Sequence, residues 1–111
     1  MTRTTFESIA NNAILNFSDG LENYGNEIAY VVENSAEQDL VGYTYQTFEK
    51  IDSEFLSICK YLMEIFRDNF KEDADGDLFD EATEKLEQLK EVIIGLKYDV
   101  MDAFANATVA S

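Results

Sequence analysis

Histidine and proline are both missing from this 111-residue chain, and cysteine occurs once. Without histidine there is no side chain that titrates near neutral pH, and the commonest transition-metal ligand is gone. The Glu-x-x-His pairs of four-helix di-iron sites are excluded on the same ground. Without proline, nothing of the usual kind interrupts long helices. The lone Cys59 has no intrachain partner, so no disulfide framework points to an oxidising compartment. Its neighbours Ile58, Leu62 and Met63 make it a small core hydrophobe rather than a reactive thiol. No basic-then-apolar signal opens the chain, and no apolar run approaches the ~20 residues that span a bilayer. The expectation is a cytoplasmic protein (host cytoplasm if viral) with no membrane partner.

Positive charge is the other scarcity. Eight basic residues stand against 23 acidic ones, a formal net charge of −15. That excess repels nucleic acid and anionic membrane, so direct nucleic-acid binding is excluded and the natural partner is basic. Hydrophobic residues at 46% still suffice for a core. The length suits one domain over residues 1–111, able to bury roughly two-thirds of its unfolded-chain surface.

What is present is helical periodicity. In Phe48–Phe70, the residues Phe48, Phe55 and Leu62 fall seven apart, and Ile51, Ile58 and Ile65 follow each by three. A second row, Leu56, Cys59, Met63 and Phe66, widens this stripe. A helix so broadly apolar needs cover from more than one side, which predicts that it is the central helix. Before it, Phe6, Ala10, Ala13, Phe17, Tyr24, Ile28 and Val31 hold helical phase from a capping box at Thr4–Glu7 to Asn34. The phase crosses Gly20 and Gly25, favouring one long helix, with Gly20 as a point of close helix approach. Asn34–Ser35 is the first turn, followed by a second capping box, Ser35–Gln38. Leu40–Phe48 also alternates like a strand, although a lone strand has no partner here. The polar run 71–77, KEDADGD, is the clearest break, with Asp77 as N-cap of the last helix. That helix repeats Phe79, Leu86, Ile93, Val100 and Ala107 in one row and Ala82, Leu89, Leu96 and Ala103 in another. These elements predict an all-α, antiparallel up-down-up three-helix bundle. The runner-up is a four-helix bundle with helix 1 broken near Gly20.

Few residues suggest chemistry. Asp73, Asp75 and Asp77 around Gly76 have the form of a calcium loop, but Lys71 and Ala82 occupy its first and last ligand positions. Neither supplies a carboxylate, so no metal and no cofactor are expected. No glycine-rich phosphate loop or nucleophile elbow occurs, and no catalytic residue can be nominated. The expectation is a protein that is not an enzyme.

The acid is sorted by helix. With Phe79 at heptad position a, Asp77, Glu84 and Glu91 share position f, Asp80 and Glu87 share b, and Glu81 and Asp102 share c. Lys85, Lys90 and Lys97 flank the core seam. Helix 1 carries Glu7, Asp19, Glu22, Glu27 and Glu33, with no basic residue between Thr4 and Glu49. Carboxylates three or four apart on a helix lie ~5–6 Å apart at Cβ, near the phosphate spacing along a nucleic-acid strand. The candidate partner-binding residues are therefore Asp77, Asp80, Glu81, Glu84, Glu87 and Glu91 with Asp19, Glu22 and Glu33. In composition, not in motif, the chain resembles phage-encoded DNA-mimic inhibitors of defence systems and acidic immunity proteins for nuclease toxins. The likeness carries no residue across. It implies an inhibitor of a basic nucleic-acid-binding protein, such as a nuclease or defence complex. The alternatives are a solvated acidic face with no further role, and a structural protein that forms a homodimer or larger assembly through the apolar surplus of helix 2.

Overall fold

A computed structural model describes the backbone of residues 1–34 and 37–110, and their side chains apart from those at 32, 34, 37–41 and 103–110. The chain is a three-helix bundle: α1 (Arg3–Asn34), α2 (Glu37–Asn69) and α3 (Glu72–Ala110). Among the described residues there is no strand, and Leu40–Phe48 is helical. Nor is any helix among them long and apolar enough to cross a membrane. The Asn34–Ser35 turn and the Ser35–Gln38 capping box lie outside the described residues.

Cross-links give the topology. Phe6 meets Phe66 and Phe70, and Phe17 meets Phe55, so α1 and α2 are antiparallel. Lys97 on Asp52 and Phe79 on Phe66 make α2 and α3 antiparallel. Arg3 pairs with Asp77, and Lys85 donates to Asn11 at 2.8 Å, leaving α1 and α3 parallel. Among the described residues the core includes two clusters. Phe17, Leu21, Ile51, Leu89 and Ile93 fill the middle, while Phe6, Phe66, Leu78 and Ala82 close the end beside the α2–α3 turn.

Several local expectations are corrected. Thr2, not Thr4, caps α1: its Oγ1 accepts the Thr5 N–H at 3.1 Å and its carbonyl accepts the Phe6 N–H at 3.1 Å. The run 71–77 is not a loop, because α3 begins at Glu72 and only kinks at Asp75 (φ −120°, ψ 18°). Asp75, rather than Asp77, stands at that break, and its Oδ2 accepts the Lys71 N–H at 3.3 Å. The central helix is α1, which packs along both neighbours, whereas α2 and α3 touch each other least. The widened row of α2 is accordingly covered only in part: Phe66 is buried and Cys59 half-buried, whereas Leu56 is 66% exposed and Met63 55%.

Helix 1 is continuous through both glycines, so the four-helix alternative is not what forms. The close approach is at Gly25, not Gly20. A Cβ on Gly25 would stand 3.3 Å from Leu96 Cδ1, whereas one on Gly20 would meet nothing within 4 Å. Gly20→Ala should therefore raise stability by about 0.5–1 kcal/mol, through helix propensity alone. Gly25→Val should lower it by about 1–3 kcal/mol, because its extra methyl groups are driven into α3. Urea midpoints followed by circular dichroism check both, and equal effects at the two sites would contradict the packing.

Candidate functional site

The parallel pair α1–α3 carries the acid. The Arg3–Asp77 and Asn11–Lys85 contacts each join residues 74 apart in sequence, which sets the register of the two helices. Carried along the pair, that offset puts Glu7 level with Glu81. Asp19 and Glu22 stand level with Ile93 and Leu96, within a turn of Glu91 and Asp99. All nine carboxylates expected from the sequence are exposed: Asp19, Glu22 and Glu33 on α1, and Asp77, Asp80, Glu81, Glu84, Glu87 and Glu91 on α3. Glu33 lies beyond the level of Asp102, the last described α3 side chain.

The structure does not bring all nine together. Asp77 is engaged by the Arg3 guanidinium, whose hydrogen bond holds the Asp77 carboxyl below the usual carboxylate range. The same contact raises the Arg3 pKa above its ordinary value. Arg3 also reaches Asp75, at 3.7 Å. Two of the three carboxylates of the calcium-like run thus share one cation, and Asp75 also caps the turn. Glu87 separates in another way: it borders the opening between α2 and α3, with Lys90, Thr83 and Met63. The acidic face proper consists of Glu81, Glu84 and Glu91 with Glu22 and Asp19, and Asp80 stands exposed one turn before Glu84. Glu7, half-buried, and the exposed Asp99 and Asp102 extend it. Glu7 and Asp99 were legible in principle, but only once the α1–α3 register was known.

Two carboxylates ~6 Å apart repel by about 0.7 kcal/mol even at the dielectric constant of water. The cations of α1 and α3 offset part of this, chiefly Lys85, whose neutral partner Asn11 leaves its charge on the face. Arg3 sits at one end, Lys85 is drawn across the seam to Asn11, and Lys97 turns away to Asp52 at 2.9 Å, beneath Phe48. Glu54 of α2 is occupied separately, accepting the Tyr24 hydroxyl at 3.0 Å, which raises the Tyr24 pKa.

Among the described residues, no three His, Cys, Asp or Glu side chains converge as a metal site. Cys59 is half-buried, and that burial pushes its thiol pKa up, away from the reactive thiolate. We expect micromolar calcium to leave the melting temperature unchanged, since binding at 73–77 would have to displace Arg3. A rise of several degrees with calcium but not magnesium would overturn this. No protein-family model, curated protein or solved structure matches the chain.

Proposed function

We propose that the chain is a non-enzymatic inhibitor that seats the α1–α3 carboxylates in the basic nucleic-acid-binding site of another protein. The partner is a nuclease or defence complex whose cleft is built for phosphates, the setting of anti-restriction, anti-CRISPR or nuclease-immunity inhibitors. The supporting observation is the sorting of charge. Glu81, Glu84, Glu91, Asp19 and Glu22 are exposed on one parallel helix pair, where Lys85 is the cation bonded across the seam, while Lys97 is paired with Asp52 of α2.

The mechanism is competition. A rigid helix pair holds carboxylates at near-phosphate spacing, and docking releases counterions from both surfaces as nucleic acid would. The bundle pays for this in advance, because the like charges are already held together by the apolar core on their other side.

The experiment is capture from source-cell lysate on the immobilised protein, read by mass spectrometry. A basic nucleic-acid-binding protein should be retained at ~50 mM salt, lost by ~200 mM, and displaced by duplex or single-stranded nucleic acid. Capture that is indifferent to both salt and nucleic acid would refute the reading.

A further inference from the structure

On the side of α2 away from α1 the bundle is open, and there we propose an interface between two copies of this chain. The observation is an apolar groove along α2 and α3, the two helices that touch least. Leu56 and Met63 stand out from α2, joined by Tyr45 at 68% exposure. On α3, Ile94 and Met101 are exposed at the spacing of one helical stripe. Half-buried Phe55, Cys59 and Leu86 form the floor between them.

Charge identifies the occupant. Among the described residues, the charged side chains lining the groove and its α2 rim beside Leu56 are Glu49, Asp52 and Glu87 against Lys60, Lys90 and Lys97. They sum to zero on a chain whose net charge is −15. Two copies meeting through the α1–α3 face would set carboxylate against carboxylate. Two copies meeting through this groove set a neutral, apolar face of mixed sign against itself. A strongly basic partner, by contrast, would meet three lysines here while a far more acidic face lay free. A two-fold pairing makes such a face self-complementary, because each acid finds a lysine within the repeated surface.

Size is adequate. From Phe79 to Met101 the face runs ~33 Å at the helical rise, and two helices give a width of about 20 Å. That is roughly 650 Å² per copy, or on the order of 1,300 Å² for the pair, within the range of stable interfaces. The inference does not rest on the inhibitor reading. If both hold, the dimer carries two acidic faces pointing away from each other.

Sedimentation equilibrium of the purified full chain tests it. At about 50 μM the parent should have twice the 12.6 kDa mass of one chain, and should keep it in 1 M salt, because apolar burial is not screened. Leu56→Asp with Met63→Asp should be monomeric with an unchanged helical spectrum, both positions being exposed. A second variant, Lys60→Glu with Lys90→Glu, leaves the apolar groove intact but makes the face acidic. It should weaken the dimer about tenfold or more at low salt and recover at high salt. A parent that is monomeric at this concentration overturns the proposal. So does a dimer that survives both double variants, or one that Glu84→Lys on the acidic face disrupts.

Discussion

Reversing Glu81, Glu84 and Glu91 to lysine should abolish partner capture while leaving the bundle folded. All three side chains are exposed on α3, where substitutions ordinarily change stability by under ~0.5 kcal/mol each. The reversal moves net charge from −15 toward neutrality and removes neighbouring repulsions of about 0.7 kcal/mol each, so melting should hold steady or rise. Binding responds in the opposite sense. Three attractive contacts with a basic cleft become repulsive ones, at about 1 kcal/mol or more apiece, a loss on the order of 10²-fold or greater. Capture at ~50 mM salt checks the effect, with Glu64→Lys on the outward side of α2 as the control that should keep its partner. Glu87 is left out of the set because it borders the α2–α3 groove, so failure here is separable from a failure of the dimer. If the triple variant captures the same protein in the same yield, the carboxylates are a solvated face and the inhibitor reading falls.

How much of this was legible in the sequence depended on what kind of fact was sought. The three helices were, because Ile51, Leu62, Leu89, Ile93 and Val100 are core residues at the phase their spacing requires. Which helix lies in the middle was not. A wide apolar stripe on α2 states how much surface wants cover, whereas Leu56 and Met63 show that the described residues supply only part of it. Leu78, outside both heptad rows, is 1% exposed because the Asp75 kink and the Phe66–Phe79 contact close the bundle end around it. Heptad labels likewise placed Glu87 with Glu84 and Glu91 on the outer face. A wheel gives the angle from the core but not which neighbour lies to the left or right, and that side decides whether a carboxylate borders α1 or α2. The same ignorance of side put Gly20 where Gly25 belongs. Caps failed for a smaller reason: Thr2 and Thr4 both precede plausible N3 residues, and only the Thr5 N–H shows which is used.

The largest stability effect should come from Phe6→Ala. Phe6 is 1% exposed and stands where the three helices converge, against Phe66 of α2 and Leu78 and Ala82 of α3. Its ring meets Phe66 edge-on at 6.0 Å and Phe70 at 5.5 Å, while Phe66 and Phe70 stack on each other at 5.6 Å. Phe70 is the first residue of the two-residue turn after α2, its N–H still bonded to the Phe66 carbonyl at 2.8 Å, so the ring also fixes the entry into that turn. Truncation removes the apolar transfer energy, leaves a cavity that three rigid helices cannot readily collapse, and strips two aromatic contacts from the end of the bundle. Phenylalanine-to-alanine changes in cores cost about 3–5 kcal/mol, a large share of the 5–15 kcal/mol that holds a domain together. With a urea slope of about 1–3 kcal/mol/M, the midpoint should fall by more than ~1 M. Leu15→Ala, nine residues further along α1 but 60% exposed, should move it very little. The contrast matters because both residues are large, apolar and on the same helix. A Phe6→Ala cost below ~1 kcal/mol would mean that the aromatic cluster does not hold this end of the bundle, and that the register placing Glu7 beside Glu81 is not fixed from there.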